Sequence, residues 1–259
     1  MKVLILPPGV LPIPAYKGGA VEALIESYIK YNEIEHENDF TIYTIKDDNE
    51  CYKKYKHTRF IQVDTNSIFY KAEKLFRYFV NNKLPKIYIG NAYITKVIRM
   101  LKKAKEQYDI IIVENCPFYI LKLRKLYPNT KIICHLHNDY LNKDTKYAKK
   151  ILNQYDKILT VSDYIKKKVQ EIDKSIQSNK IETVYNGVNT DIFNQKIENK
   201  KIENYRKKYN LNKDDIIFLY TGRLVKEKGV KELILAFNKL LNNSNNKKIK
   251  LLIVRKQGK

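Results

Sequence analysis

Short runs in which every residue is apolar constrain this chain most. Val3-Leu4-Ile5-Leu6 and Ile110-Ile111-Ile112-Val113 are two of them. A strand with one face in water alternates apolar and polar residues, so an unbroken run has to be covered on both faces, as in a parallel sheet. Further strand-like runs are Phe40–Ile45, Phe60–Val63, Lys131–Leu136, Lys157–Val161 and Lys180–Val184. Between them lie segments of helical spacing: Ala20–Ile29, a stretch around Phe76, a stretch around Val97, and one starting near Asp163 behind Ser162 as its N-cap. Strands alternating with helices predict an α/β fold with a doubly wound parallel sheet. Ligands of such sheets gather at the C-terminal ends of the strands. Gly18, Gly19, Asn115, His137, Asn138, Asn186 and Gly187 all follow strand ends of this kind.

A second sheet is expected to begin at Ile216–Tyr220. Thr221-Gly222-Arg223 then turns the chain through Lys226 and Lys228 to Gly229 and a helix carrying Leu233, Ile234, Ala236 and Phe237. Lys248–Val254 reads as the next strand. The predicted organisation is therefore a first domain over 1–189, a polar linker over 190–213, and the opening strand-helix-strand of a second domain over 214–259.

Composition narrows the function classes. The chain is 44% hydrophobic and 30% charged, enough apolar material for a core. No run approaches the roughly 18–20 apolar residues that span a bilayer. Pro7, Pro8, Pro12 and Pro14 break any signal-type helix near the N-terminus. Three scattered cysteines form no disulfide framework and suggest a reducing compartment, so the expected location is the cytoplasm. The formal charge of +22 comes mostly from lysines dispersed among acids, which does not point to nucleic acid as the main partner. It suits peripheral contact with an anionic membrane better. Two basic amphipathic segments could carry that contact. One has Phe69, Ala72, Phe76, Phe79 and Val80 opposite Lys71, Lys74 and Arg77; the other has Tyr93, Val97 and Leu101 opposite Lys96, Arg99, Lys102 and Lys103. Both are expected to pack their apolar faces on the sheet.

Several chemistries find no support. Gly222–Gly229 lacks the Ser or Thr of a Walker loop, no G-x-G occurs, and no G-x-S-x-G elbow is present. His135 and His137 share one face of a strand, with Cys134 on the other, and no C-x-x-C or H-E-x-x-H accompanies them, so no metal is expected. What remains is phosphate chemistry. Gly18 and Gly19 precede a helix N-terminus, where backbone N–H groups and the dipole favour an anion, although a helix entry that simply needs glycine explains them as well. Arg223 offers a planar fork and Lys228 a mobile charge, a pair suited to a leaving diphosphate. His137 can bond a sugar hydroxyl or a phosphate; it can equally be a buried structural histidine.

These residues together resemble the retaining glycosyltransferases of family 4, which have the GT-B fold of two Rossmann-like domains, and within them the bacterial spore coat protein SA group. The stretches that carry the resemblance are Leu11–Pro14 through Gly18-Gly19-Ala20, Asp109–Pro117, Val161–Ile165, Thr183–Asn189 and Gly222–Gly229. The resemblance implies a nucleotide-sugar donor, a glycan, lipid or surface-polymer acceptor, and no metal. It implies that Gly18, Gly19, Arg223 and Lys228 contact the donor diphosphate and that His137 sits at the donor sugar as the catalytic-site histidine. Asn115, Asn138, Asn186 and Gly187 fall on the acceptor side or cleft. Relatives often have arginine where Cys116 stands and glycine after the strand that here leads into Arg255–Lys259. The family's second domain also carries a Glu-x7-Glu motif, expected well past residue 259, so the chain reads as a C-terminally truncated copy expected to have little transfer activity by itself. The alternative expectation is a non-catalytic spore-coat or cell-surface component that keeps the first domain as a binding module.

Overall fold

The computed structural model describes residues 1–83, 88–193, 196–243 and 248–254; Arg255–Lys259 lie outside it. The chain divides into two compact units, Met1–Gly187 and Val188–Lys259. The first runs β1 Lys2–Leu6, α1 Ala20–Glu35, β2 Asp39–Ile45, β3 Thr58–Val63, α2 Ile68–Lys83, α3 Ala92–Ala104, β4 Ile110–Glu114, α4 Ile120–Leu126, β5 Lys131–Leu136, α5 Ala148–Gln154, β6 Lys157–Thr160, α6 Asp163–Gln170 and β7 Ile181–Thr183. The second runs α7 Thr190–Phe193, α8 Asn199–Lys208, β8 Ile216–Thr221, α9 Val230–Asn242 and β9 Ile249–Val254.

The seven strands of the first unit form one sheet in the order β3-β2-β1-β4-β5-β6-β7, every neighbour parallel. Val3 pairs with Phe40 on one side and Ile110 on the other. The unbroken apolar runs explain this directly. Leu4 and Leu6 enter one core together with Ile94, Val97, Leu101, Ile120, Leu123 and Ile151; Val3 and Ile5 enter a second core with Ile25, Ile29 and Ile42. Two cores on the two faces of one sheet are the doubly wound arrangement the sequence predicts. Each such side chain taken fully out of water contributes about 1.5–3 kcal/mol. Strand order reverses between β1 and β4, so the topological switch point lies between their C-terminal ends.

Side-chain caps set the helix starts. Ser162 accepts from the Ile165 amide at 3.3 Å, as expected from the sequence, and Asn91 accepts from Ile94 at the start of α3. Tyrosines fasten the loop after β1. The Tyr119 hydroxyl donates to the Pro8 carbonyl at 3.0 Å, and the Tyr93 ring lies so close under Gly9 that a Cβ there would be 2.3 Å from it.

The packing of α2 differs from expectation. Of Phe69, Ala72, Phe76, Phe79 and Val80, only Val80 is buried. Tyr70, Glu73, Arg77 and Val80 turn inward instead. Arg77 pairs with Glu73 at 2.8 Å and donates to the Ile89 carbonyl, and Glu73 is held a second time by Arg99 at 3.0 Å. Helical periodicity permits either face; this polar network selects the one opposite to the apolar stripe. By contrast α3 packs as expected, with Tyr93, Ile94, Val97, Ile98 and Leu101 buried.

In the second unit β8 and β9 pair in parallel, Ile216 opposite Ile249. Phe218 and Phe237 meet edge-on, their centroids 6.0 Å apart. No helix among the described residues is long and apolar enough to cross a membrane.

Candidate functional site

The parallel sheet places the ends of β1, β4, β5, β6 and β7 along one edge. The loops after β1 and β4, the strands flanking the switch point, carry Gly18, Gly19 and Asn115. His137 follows β5, next to β4. Asn186 and Gly187 follow β7, two strands farther along the edge, and are exposed; Asn138 is exposed beside His137.

The chemical centre of this edge is Glu114, the last residue of β4, fully buried. One of its oxygens, Oε2, lies 2.8 Å from His137 Nε2 and 3.2 Å from His135 Nδ1. Period-two alternation puts both histidines on the same side of β5, and the parallel register places His135 opposite Glu114. Burial alone would raise the Glu114 pKa; hydrogen bonds and charge from the two imidazoles outweigh it and hold the carboxyl below its ordinary value. The Tyr28 hydroxyl stands 3.4 Å from His135 Nδ1, its pKa pushed well up by burial and then by the Glu114 charge.

Asn115 ties this cluster to the backbone. It adopts a left-handed φ of 55°, which asparagine tolerates better than most residues. Its amide donates to the His135 carbonyl at 2.8 Å, and its side-chain oxygen accepts from the His137 amide at 3.1 Å. The β4 and β5 ends are thereby stapled together, and His137 is fixed through its backbone and its ring. Three buried polar atoms of the cluster, Glu114 Oε1, His135 Nε2 and His137 Nδ1, have no hydrogen-bond partner among the described residues. Two imidazoles and a carboxylate, with one ligand-type atom from each lying within 4.8 Å of the others, form a donor set of the kind zinc or iron(II) accepts. Here the two histidine nitrogens already converge on one carboxylate oxygen.

Gly18 and Gly19 have φ of 85° and 98°, and Gly19 caps α1. The carboxylate of Glu22, one turn in, folds back over that end. A Cβ on Gly19 would lie 2.1 Å from Glu22 Oε2 and 2.9 Å from a Leu11 methyl. Glu22 is buried, and burial raises its pKa against the lowering effect of backbone amides at Glu22 and Leu11 and of His137. The anion-favouring end of α1 thus already meets a carboxylate of the same chain.

The sequence pattern alone points to neither Glu22 nor Glu114, and it gives His135 no role beyond a place on the same strand face as His137. The available signal was a carboxylate closing an all-apolar strand, beside a neighbouring strand that ends in His-x-His. Cys116 next to this site has its thiol pushed up to about 11 by burial, which makes it a poor nucleophile.

Within the second unit, Gly222 follows β8 and its amide donates to the Val254 carbonyl. The Tyr220 hydroxyl donates to the Arg223 carbonyl at 2.9 Å, fixing the turn. Gly229, φ 64°, caps α9, and Arg223 and Lys228 lie exposed on the loop between β8 and α9.

Comparison with known proteins gives this arrangement a context. The sequence model of Glycosyltransferase Family 4 matches residues 46–192, and that of Glycosyl transferases group 1 matches residues 201–258. YtcC of Bacillus subtilis strain 168 is 28% identical over 238 residues, 89% of this chain and 51% of that protein. Spore coat protein SA of the same organism is 26% identical over 236 residues, 88% of this chain and 54% of that protein. The chain therefore spans about half the length of the curated relatives it matches. Among solved structures, the N-terminal domain of trehalose-6-phosphate phosphatase from Candida albicans superposes with a TM-score of 0.70 at 15% identity, covering 99% of this chain and 65% of that one. Anabaena Alr3699/HepE, solved with UDP-glucose, superposes with a TM-score of 0.55 at 13% identity, covering 99% and 70%. At these identities the structural likeness establishes the fold.

Proposed function

The chain belongs to glycosyltransferase family 4, and from that membership we propose that it serves the transfer of a sugar, with retention, from a nucleotide-sugar donor to a glycan, lipid-linked or surface-polymer acceptor. The observation that carries this reading is the His137 arrangement. Its ring is held through Nε2 by the Glu114 carboxylate, its backbone by Asn115, and its Nδ1 has no partner among the described residues. With Nε2–H donating to Glu114, neutral His137 offers Nδ1 as an acceptor for a sugar hydroxyl. As an imidazolium, it donates from Nδ1 to a phosphate oxygen. Glu114 stabilises that imidazolium and fixes the ring angle, so it acts as a positioning residue.

Gly18 and Gly19 present backbone to the donor phosphates, and Glu22, whose carboxyl is easier to neutralise than an exposed one, is displaced or protonated when the diphosphate arrives. Arg223 and Lys228 hold the diphosphate and stabilise the charge that builds on it as the glycosidic bond breaks, a role that needs no metal. Asn115, Asn138, Asn186 and Gly187 border the acceptor side. The test is calorimetric titration with UDP-glucose and other nucleotide sugars, with His137→Ala beside the parent chain. Loss of binding or turnover in His137→Ala supports the assignment; unchanged affinity and turnover refute it.

A second reading, a non-catalytic surface component, draws on the similarity to a spore coat protein. Retained binding of a surface polymer, with no heat of binding for any nucleotide sugar, would favour it.

A further inference from the structure

The face of α2 that points away from the core is apolar. Ile68 is 82% exposed, Phe69 88%, Leu75 71%, Phe76 63% and Phe79 59%. An ordinary surface helix of a globular protein has the reverse polarity. Contiguous exposure of this many large side chains marks an interaction site. We propose that this face docks on an anionic lipid surface, with the α2 axis lying in the membrane interface.

Charge identifies the occupant. Glu73 is the one acidic residue of α2, and it is turned inward between Arg77 and Arg99. The charged side chains left on the outward face, Lys71, Lys74 and Lys83, are all positive and exposed. A large apolar stripe edged by lysines is the pattern of an interfacial helix: aromatic and aliphatic groups enter the acyl boundary while the amines stay at the headgroups. A second copy of the chain fits poorly. A two-fold contact would set the same lysines against one another with no carboxylate on the patch to pair them. Exposed Arg99, Lys102 and Lys103 on neighbouring α3 extend the positive field. At 16 residues, about 24 Å, α2 is long enough to lie along a membrane surface. This inference stands on α2 alone and does not depend on the assignment of the donor site.

The experiment is co-sedimentation of the full chain with phosphatidylcholine vesicles, with and without phosphatidylglycerol. Partitioning is expected to be at least about ten-fold stronger with the anionic lipid. Lys71→Gln/Lys74→Gln should weaken it about five-fold per lysine, from the roughly 1 kcal/mol a lysine contributes at such a surface. Phe76→Ser/Phe79→Ser should weaken it at least about ten-fold. Both variants alter outward side chains, so circular dichroism should match the parent chain. The protein contains no tryptophan. Phe79→Trp therefore adds a single reporter whose emission should shift to the blue on anionic vesicles, while Tyr164→Trp, at an exposed position of α6, should not shift. Equal partitioning to both vesicle types, parent-like binding by both double variants, or binding without a Phe79→Trp shift would each overturn the proposal. So would loss of a self-associated species in Phe76→Ser/Phe79→Ser with no vesicle binding by the parent.

Discussion

Neutralising Glu114 tests the centre of the candidate site. In Glu114→Gln the shape is kept and the charge is lost. The carboxylate accepts from His137 at 2.8 Å and contacts His135 at 3.2 Å. Hydrogen bonds to a charged group contribute about 1.5–3 kcal/mol each, against about 0.5–1.5 for neutral pairs. The short bond should therefore lose about 1–1.5 kcal/mol and the longer one less, roughly 1.5–2 in all. The sign follows independently. Although burial favours the neutral acid, the folded state holds the Glu114 pKa below its ordinary value of 4.5, so the folded protein prefers the charged form. Glu114→Ala should be worse, about 3–5 kcal/mol, because it leaves a ring N–H buried without a partner and opens a cavity. A depressed carboxyl pKa contributes stability that is fully present above the unfolded value and is lost as the pH falls through the folded one. The difference between Glu114→Gln and the parent should thus be full near neutral pH and shrink below pH 4.5. Urea unfolding followed by circular dichroism at a series of pH values measures it. Identical midpoints near neutral pH, or a more stable Glu114→Gln, would refute the claim that the imidazoles hold a charged Glu114.

Four further outcomes are expected. In an enzyme restored to the full length of its relatives, Arg223→Ala and Lys228→Ala should each lose about 2–4 kcal/mol of transition-state stabilisation, read as kcat/KM for a nucleotide sugar; an unchanged kcat/KM in both would remove them from the diphosphate site. Glu22→Gln should bind a nucleoside diphosphate more tightly than the parent, most visibly above the raised Glu22 pKa, where the parent carboxyl is charged, and titration calorimetry across pH reads this. Gly9→Ala should destabilise the chain by at least about 2 kcal/mol, since it combines a left-handed φ of 70° with a Cβ placed against the Tyr93 ring, and a shift in urea midpoint measures it. In the same full-length enzyme, chelation should leave transfer activity unchanged if Glu114, His135 and His137 work as a hydrogen-bonded triad; loss on chelation and recovery with zinc would reassign it as a metal centre.

How much of this was legible beforehand depended on the range of the interaction. The strands were readable because an all-apolar run of four or five residues has one stable environment, a sheet covered on both faces. The parallel pairing and strand order then put Gly18, Gly19, Asn115 and His137 on one edge, as the spacing suggested. Asn115 was read as a residue of the cleft; its staple between the β4 and β5 ends needed the register His135 opposite Glu114, which no local pattern encodes.

The sequence by itself determined the doubly wound sheet, the helix starts at Ser162 and Gly19, and the cationic turn from Arg223 to Lys228, because local periodicity, capping and turn chemistry dominate there. Tertiary structure alone decided three things. It brought the Glu114 carboxylate to two imidazoles on the next strand, a pairing that depends on register. It folded Glu22 over the end of α1, where a phosphate was expected from local chemistry alone. And it chose which face of α2 to bury: a helix of period 3.6 offers its neighbours either face, and the Glu73–Arg77–Arg99 network, which joins α2 to α3, turned the polar face inward and left the aromatic one outside.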